Sequence, residues 1–394
     1  MAFAVERSRS ALGQPVRRRL LTGSVLAAAL LWASAEAVAC PICLGAGQPS
    51  RAQELVTAPD VVLAVPTREA SRFRVTQVIK GTRPPSGTIE GGYPRSGPVP
   101  GTGAPRNGKP LLLVSHEQLP TWEVLGPIDA GHSGWLRKLA TGKRTADMST
   151  EEWRARVALA APYLESREPL AAEIAYGELA AAPYAALRAA KPRLGASAVR
   201  RWLVDPDLAA RQRLYLLLLG LAGNAQDAAA FEQHLEAAWK SGEATNLGPM
   251  LAADLELRGE TRMSWVDDKY LRDPKRSSRE IEAVVQALGV HGDTNTTISR
   301  ERVIQSYRLF IRERKDLAGL VAPHLAAWNY WDAVPEYTAL MKSDVRQQGP
   351  SRFAIAAYLQ QSRGAGATPR PEVSAAGSSN RPLAEPNTLL VAPH

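Results

Sequence analysis

Cysteine is almost missing from this 394-residue chain: the only two, Cys40 and Cys43, share one four-residue stretch. A fold built on a disulfide scaffold is thereby excluded. Histidine is scarce too, six residues spread over the whole length, which leaves little for a metal centre. No apolar run has the roughly 20 residues of a membrane span. The longest one after the N-terminal region, Leu214 to Leu221, is broken by Gly220 and suits a buried helix. Strong charge of one sign is lacking as well. The net +9 includes +3 from Arg7, Arg9, Arg17, Arg18 and Arg19 against Glu6 and Glu36, so the other 355 residues carry only +6. That is too mild for a nucleic-acid-binding surface, and no nucleic-acid partner is expected. With 45% apolar residues, the chain can bury a large core and has the length of about two domains.

What is present begins with an export pattern. Arg17-Arg18-Arg19 makes a basic start, Leu20 to Trp32 an apolar run too short to span a bilayer, and Ala37-Val38-Ala39 a small-residue cleavage site. Arg17-Arg18-Arg19-Leu20-Leu21 also loosely matches a twin-arginine core. Residues 1–39 are read as a signal peptide cut between Ala39 and Cys40, giving a periplasmic or secreted protein. Glu36 and Ala37 stand where a lipid-attachment motif has a branched residue and no charge, which disfavours a lipoprotein.

Cys40-Pro41-Ile42-Cys43 then admits a local disulfide, a redox pair or half of a metal site. No strand can precede it to form a thioredoxin-like platform, residue 44 is Leu where a covalent haem needs His, and two more zinc ligands are lacking. A Cys40–Cys43 disulfide bracing the new N-terminus is the leading expectation. No cofactor or bound metal is expected. Other chemical motifs also fail. Pro110 spoils the P-loop-like Gly103 to Lys109, Trp135 spoils an elbow at His132-Ser133-Gly134, and Ile304 spoils a calcium loop starting at Asp293.

From Asp60 to Leu125 the pattern is that of short strands: Val61 to Val65, Phe73 to Lys80, Leu111 to Val114 and Trp122 to Leu125, joined by Gly/Pro-rich turns. A small barrel or sandwich follows from this. The Cys40 terminus, Ala58-Pro59-Asp60-Val61-Val62-Leu63-Ala64, Phe73 to Gly81 and Gly108-Lys109-Pro110-Leu111-Leu112-Leu113 together resemble the netrin-like domain of tissue inhibitors of metalloproteinases. That resemblance implies an OB-type barrel over roughly residues 40–130 and, through a free Cys40 amine, inhibition of a metalloprotease. The distant cysteines of those inhibitors are missing here.

Beyond Thr150 the chain is rich in Ala, Leu, Arg and Glu at helical spacing, and it repeats. Trp202-Leu203-Val204-Asp205-Pro206-Asp207 recurs after 68 residues as Tyr270-Leu271-Arg272-Asp273-Pro274-Lys275. Leu219-Gly220-Leu221-Ala222-Gly223-Asn224 recurs after 69 as Leu288-Gly289-Val290-His291-Gly292-Asp293, and Gly259 lies between. Asp205 and Asp273 are expected to cap helices with proline in the first turn, and Gly223, Gly259 and Gly292 to end them. Units that cannot bury their apolar faces alone must stack. The pattern L-x-D-P-x…L-G-x-x-G-[DN] resembles the HEAT-like repeats associated with phycobilisome lyases, which implies an α-solenoid over residues 150–362 and carries no catalytic residues.

The expected fold is thus α+β and multidomain: signal peptide 1–39, β-barrel (OB/netrin-like) 40–135, linker 136–149, HEAT-like α-solenoid 150–362, and a disordered tail 363–394, read from its Gly, Ala, Ser, Pro and Asn content. His291 is expected to pack, not to ligate. Trp328, Tyr330 and Trp331 are the candidate partner-binding residues, an aromatic ridge on the solenoid. The expected function is non-catalytic: an envelope scaffold that binds another envelope or extracellular protein or peptide. The alternative is a thiol- or metal-dependent function, metalloprotease inhibition included, centred on Cys40 and Cys43.

Overall fold

The structure is a computed structural model that describes residues 50–91, 108–117, 119–189, 195–345 and 347–366. The proposed signal, Ala39, Cys40, Cys43 and the chain after residue 366 lie outside the described residues. Among the described residues no helix is long and apolar enough to cross a membrane. The chain divides between Ala186 and Leu187 into two compact units.

In the first unit, five strands form one antiparallel sheet of order β3-β2-β1-β4-β5: β1 Val61–Pro66, β2 Arg72–Lys80, β3 Thr88–Glu90, β4 Leu111–His116 and β5 Leu119–Pro127. β1 reads as an unbroken apolar run because both faces are covered. One face gives Val62, Ala64, Val75, Ile89, Leu111, Leu113 and Val124 to a single cluster. Its register is set by Val62 opposite Leu113 and Ala64 opposite Leu111. The alternate residues Val61, Leu63, Leu112 and Val114 are buried on the other face. Beyond β3, Gly91 bridges Trp122 of β5 in parallel, drawing the two edges together so that the sheet curls into a half-barrel. A β-carbon at Gly91 would fall 2.4 Å from the Phe73 ring, so a larger residue at this closure would have to displace that ring.

Among its described residues four α-helices complete this unit before the division: α1 Arg51–Thr57, α2 Ser133–Ala140, α3 Thr150–Ala160 and α4 Pro169–Ala181. Capping boxes Ser50/Gln53 and Ser149/Glu152 start α1 and α3. Arg156 of α3 donates to both Glu178 oxygens on α4, at 2.7 and 2.6 Å, and to the Leu139 carbonyl of α2, at 2.8 Å. Residues 136–149, expected as a linker, therefore carry most of α2, whose Trp135, Leu136 and Leu139 are buried. Likewise α3 and α4, expected in the helical array, belong to the sheet-bearing unit.

Helix α5, Tyr184–Ala189, crosses the division. The second unit is helical throughout its described residues, and its helices alternate between two rows. One row holds α7 Gln212–Ala222, α9 Leu247–Arg258, α11 Ser278–Thr294, α13 Ala322–Ala327 and α15 Gly349–Gly364. The flanking row holds α6 Ala196–Val204, α8 Ala225–Ser241, α10 Met263–Val266, α12 Arg300–Glu313 and α14 Val334–Lys342. In the first row α7 packs on α9, α9 on α11 and α13 on α15, while α11 meets the turn before α13 and takes the His324 and Trp328 rings at Gly289 and Gly292; close crossings fall at small residues. A β-carbon at Gly220 of α7 would lie 2.5 Å from the Ala253 Cα of α9, and one at Gly319, in the turn leading into α13, would collide with the Ser351 carbonyl of α15. The flanking row is joined by arginine–carboxylate pairs: Arg200–Asp227 (α6 to α8, 2.7 Å), Arg262–Glu232 (α8 to the turn before α10, 3.1 Å) and Arg308–Glu336 (α12 to α14, 2.7 Å). Arg302 of α12 reaches Asp267 after α10 at 2.7 Å in the same way.

The sequence repeat is two steps of this alternation, so its copies start in α6 and in the segment after α10, and end in α7 and α11. Asp205 caps as expected, accepting from the Asp207 amide ahead of a 3-10 turn with Pro206 in first place. Asp273 differs, because it closes a turn on the Lys275 amide and α11 starts only after Ser277, whose capping partner is Glu280. Gly259 ends α9 at φ +65°. Gly223 follows α7 in extended backbone, and Gly292 lies inside α11, which runs on to a left-handed Asn295. Gly292 is small for packing, not for termination: a β-carbon there would sit 2.4 Å from the Trp328 ring.

Candidate binding site

The three aromatics expected to form one ridge are half-buried and face three neighbours. Trp328 ends α13. Its ring is parallel to Tyr307 of α12, 4° between planes and 5.7 Å between centroids, while its Nε1 donates to Asp293 Oδ1 at 2.7 Å and Arg300 stands 5.5 Å from the ring. Asn329 then turns the chain at φ +55°. Tyr330 consequently meets Arg308, burial raising its phenol pKa while Arg308 opposes the rise, and Trp331 tilts against Tyr358 of α15 at 5.1 Å. The α15 surface also carries Phe353, 79% exposed.

His291, inside α11, is completely buried and bonded through Nε2 to the Ala252 carbonyl of α9 at 2.9 Å, a packing role as expected. Burial depresses its pKa, so the imidazole is neutral and Nε2 carries the hydrogen. His324 of α13 lies in the notch at Gly289, against Tyr307 and Trp328, and burial depresses its pKa too.

A second cluster, between α8 and α10, has no motif that marks it in the sequence. Glu232, Glu236 and Trp239 follow one another at helical spacing on α8, opposite Arg262, Trp265 and Lys269. Arg262 pairs with Glu232 and covers the Trp265 ring at 3.8 Å. Trp265 Nε1 donates to Glu236 Oε1 at 2.8 Å, and Lys269 Nζ stands 3.7 Å above the Trp239 ring. Beneath them Asp254 is wholly buried between Arg258, at 2.9 Å, and Arg262, at 2.8 Å. Burial raises the Asp254 pKa against the pull of both arginines. After α10 the backbone makes a π turn over Asp267–Leu271, held where Asp267 accepts from Ser306 Oγ at 2.6 Å and Arg302 at 2.7 Å. The turn delivers Tyr270 to the cluster, its ring 5.7 Å from Trp265. Burial pushes the Tyr270 phenol well up, so it stays protonated.

In the first unit, Lys138, Lys143, Met148, Glu152, Arg156 and Leu159 line an open cleft of about 340 Å³. All three nitrogens of the Arg156 guanidinium already donate within the protein, so its role there is structural. Among the described residues no three His, Cys, Asp or Glu side chains are grouped to hold a metal ion. Comparison with known proteins returns no match: no family model, no curated protein and no solved structure is similar to this chain.

Proposed function

We propose that this is an exported, non-catalytic binding protein of the bacterial cell envelope, and that the last helices of its helical unit hold the partner, a protein or peptide. The observation that carries this is a contrast within one row of helices. α7 and α9 are buried almost end to end, whereas α15 exposes Phe353 and the turn after α13 leaves Trp328, Tyr330 and Trp331 half in solvent. Exposed large apolar side chains at one end of an otherwise covered row mark an interaction surface. The helical unit reads as an α-solenoid of hairpins, in favour of which stand the alternating rows, the sequence period of two steps, and small residues at the crossings. The half-barrel reads as an OB-like barrel, for which the central β1 paired to both β2 and β4 and the parallel bridge between the β3 and β5 edges speak.

The test is a photo-crosslinking amino acid placed at Phe353, with Gly242 as a distant exposed control, in cells that export the protein. A discrete adduct from position 353, missing from 242 and lost in Trp328→Ala, is expected. Equal labelling at both positions would overturn the assignment of the surface. Intact mass of the exported protein, starting at Cys40 and two hydrogens below the dithiol form, is the expected outcome for export and for the Cys40–Cys43 disulfide. A lipid-sized increment would remove the inhibitor reading, which needs a free amine.

A further inference from the structure

Asp293-Thr294-Asn295-Thr296-Thr297, which fails as a calcium loop, has a second reading. Of the seven asparagines in the chain only Asn295 has a hydroxyl residue two places on, Thr297, and the residue between them is not proline. That spacing makes an asparagine an acceptor for sugar transfer in an exported protein: the transferring machinery holds the hydroxyl while the side-chain amide nitrogen attacks the sugar. Asp293 adds the acidic residue that the bacterial form of this reaction reads two places before the asparagine. Acids make up 39 of 394 residues, so chance puts one at a given position about one time in ten, and its presence sharpens the match by that factor.

The structure presents this asparagine at the surface. Asn295 is exposed and follows the last turn of α11 in the left-handed conformation, φ +48°, which asparagine tolerates. Its Oδ1 accepts from the Arg300 amide at 2.8 Å, while Nδ2 makes no hydrogen bond among the described residues. A sugar on Nδ2 therefore leaves the carbonyl free to hold the turn into α12. Thr297 stands differently. It is half-buried, and its hydroxyl donates to Glu256 Oε2 at 3.0 Å and accepts from Arg188 Nη2 at 2.9 Å. In the folded chain the hydroxyl that must be held is thus already committed. Transfer has to precede the closing of this turn; a chain that crosses the membrane unfolded offers that moment, and one that crosses folded does not.

We propose that Asn295 is an N-glycosylation site, modified as the unfolded chain emerges on the far side of the membrane. The donor is an oligosaccharide carried on a polyprenyl diphosphate. The bond from the sugar C1 to the diphosphate oxygen breaks, a bond from C1 to Asn295 Nδ2 forms, Nδ2 gives up one proton, and the polyprenyl diphosphate leaves; nothing is oxidised or reduced. The proposal rests on the export reading and not on the partner surface of the last helices.

The test is mass spectrometry of the full chain purified from the cells that make and export it, intact and after trypsin. The peptide from Glu280 to Arg300 holds a single asparagine. It is expected to be heavier by whole sugar residues, with fragmentation placing them on Asn295. Asn295→Asp keeps an oxygen for the Arg300 amide but has no acceptor nitrogen, and it should lose the sugar. Asp293→Asn keeps an acceptor for Trp328 and should lose it too, as should Thr297→Val, while Thr297→Ser should retain it. An unmodified peptide in a chain that starts at Cys40 overturns the proposal and leaves export standing; an unmodified peptide in an uncleaved chain overturns both. A sugar found on a threonine, or one that persists in Asn295→Asp or in Thr297→Val, also overturns the assignment.

Discussion

At the scale of single residues, two histidines and one aspartate test the packing of the helical unit most sharply. His291 and His324 are neutral in the fold, at the α9–α11 and α11–α13 contacts respectively. The groups acting on His291 are the Ala252 carbonyl and Glu256, which favour protonation, and Arg188, which opposes it. Asp293 favours protonation of His324, and burial outweighs all of them. Below the ordinary imidazole pKa of about 6.5, the unfolded chain takes up protons that the native state refuses, so stability is full above that value and falls as the pH drops. The melting temperature should therefore decline between about pH 7.5 and about pH 5.5. His291→Gln keeps a donor for Ala252 and should shrink that decline; a flat wild-type profile would contradict the reading. Asp254→Asn tests the opposite case, a buried charge lost from between two arginines. Arg262 is then left buried with one carboxylate fewer, and a cost of about 3 kcal/mol is expected in urea unfolding. A change below about 0.5 kcal/mol, the size of an ordinary surface substitution, would mean that solvent reaches the pair.

At the scale of elements, the two rows are held by different means, and each predicts its own sensitivity. Gly220 and Gly319 admit close crossings, so Gly220→Val and Gly319→Val should each cost about 3 kcal/mol or more through overpacking against a neighbouring backbone. Gly242, which ends α8 at φ +74° with nothing near its missing β-carbon, is the control. Gly242→Ala should cost only about 1–2 kcal/mol, the strain of a left-handed alanine. Equal costs in urea unfolding would show that the crossings are loose. The same contrast explains what could be read beforehand. β1, β2, β4 and β5 announce themselves by apolar runs, but β3 has a single buried residue, Ile89, and no run to betray it. Gly292 looks like a terminator because a glycine followed by an acidic residue reads as a helix end. Only the Trp328 ring, 36 residues on in the chain and across a helix contact, gives the other reason for glycine.

At the scale of the whole molecule, the alternation of helices was visible as a 68-residue displacement, while the α8–α10 cluster was not. A repeat records what every step shares, and the cluster is where one step departs from the others. Its Tyr270 is delivered by the π turn, a backbone event that side-chain spacing does not encode. The boundary near residue 186 was hidden for a related reason. α3 and α4 have the composition of the helices that follow, but their buried faces serve the sheet-bearing unit. The rows carry a last consequence within the helical unit. Each helix there is held chiefly by its neighbours, so protection should be graded along the rows and not uniform. Amide hydrogen exchange is expected to be slowest in α9 and α11, which have a packed helix on both sides in their row, and fastest in α14 and α15, which end it. Weakening the last flanking pair with Glu336→Gln should speed exchange in α14 and α15 and leave α9 as it was. Equal acceleration across all the helices would instead show one cooperative block, in which no helix can move without unfolding the rest.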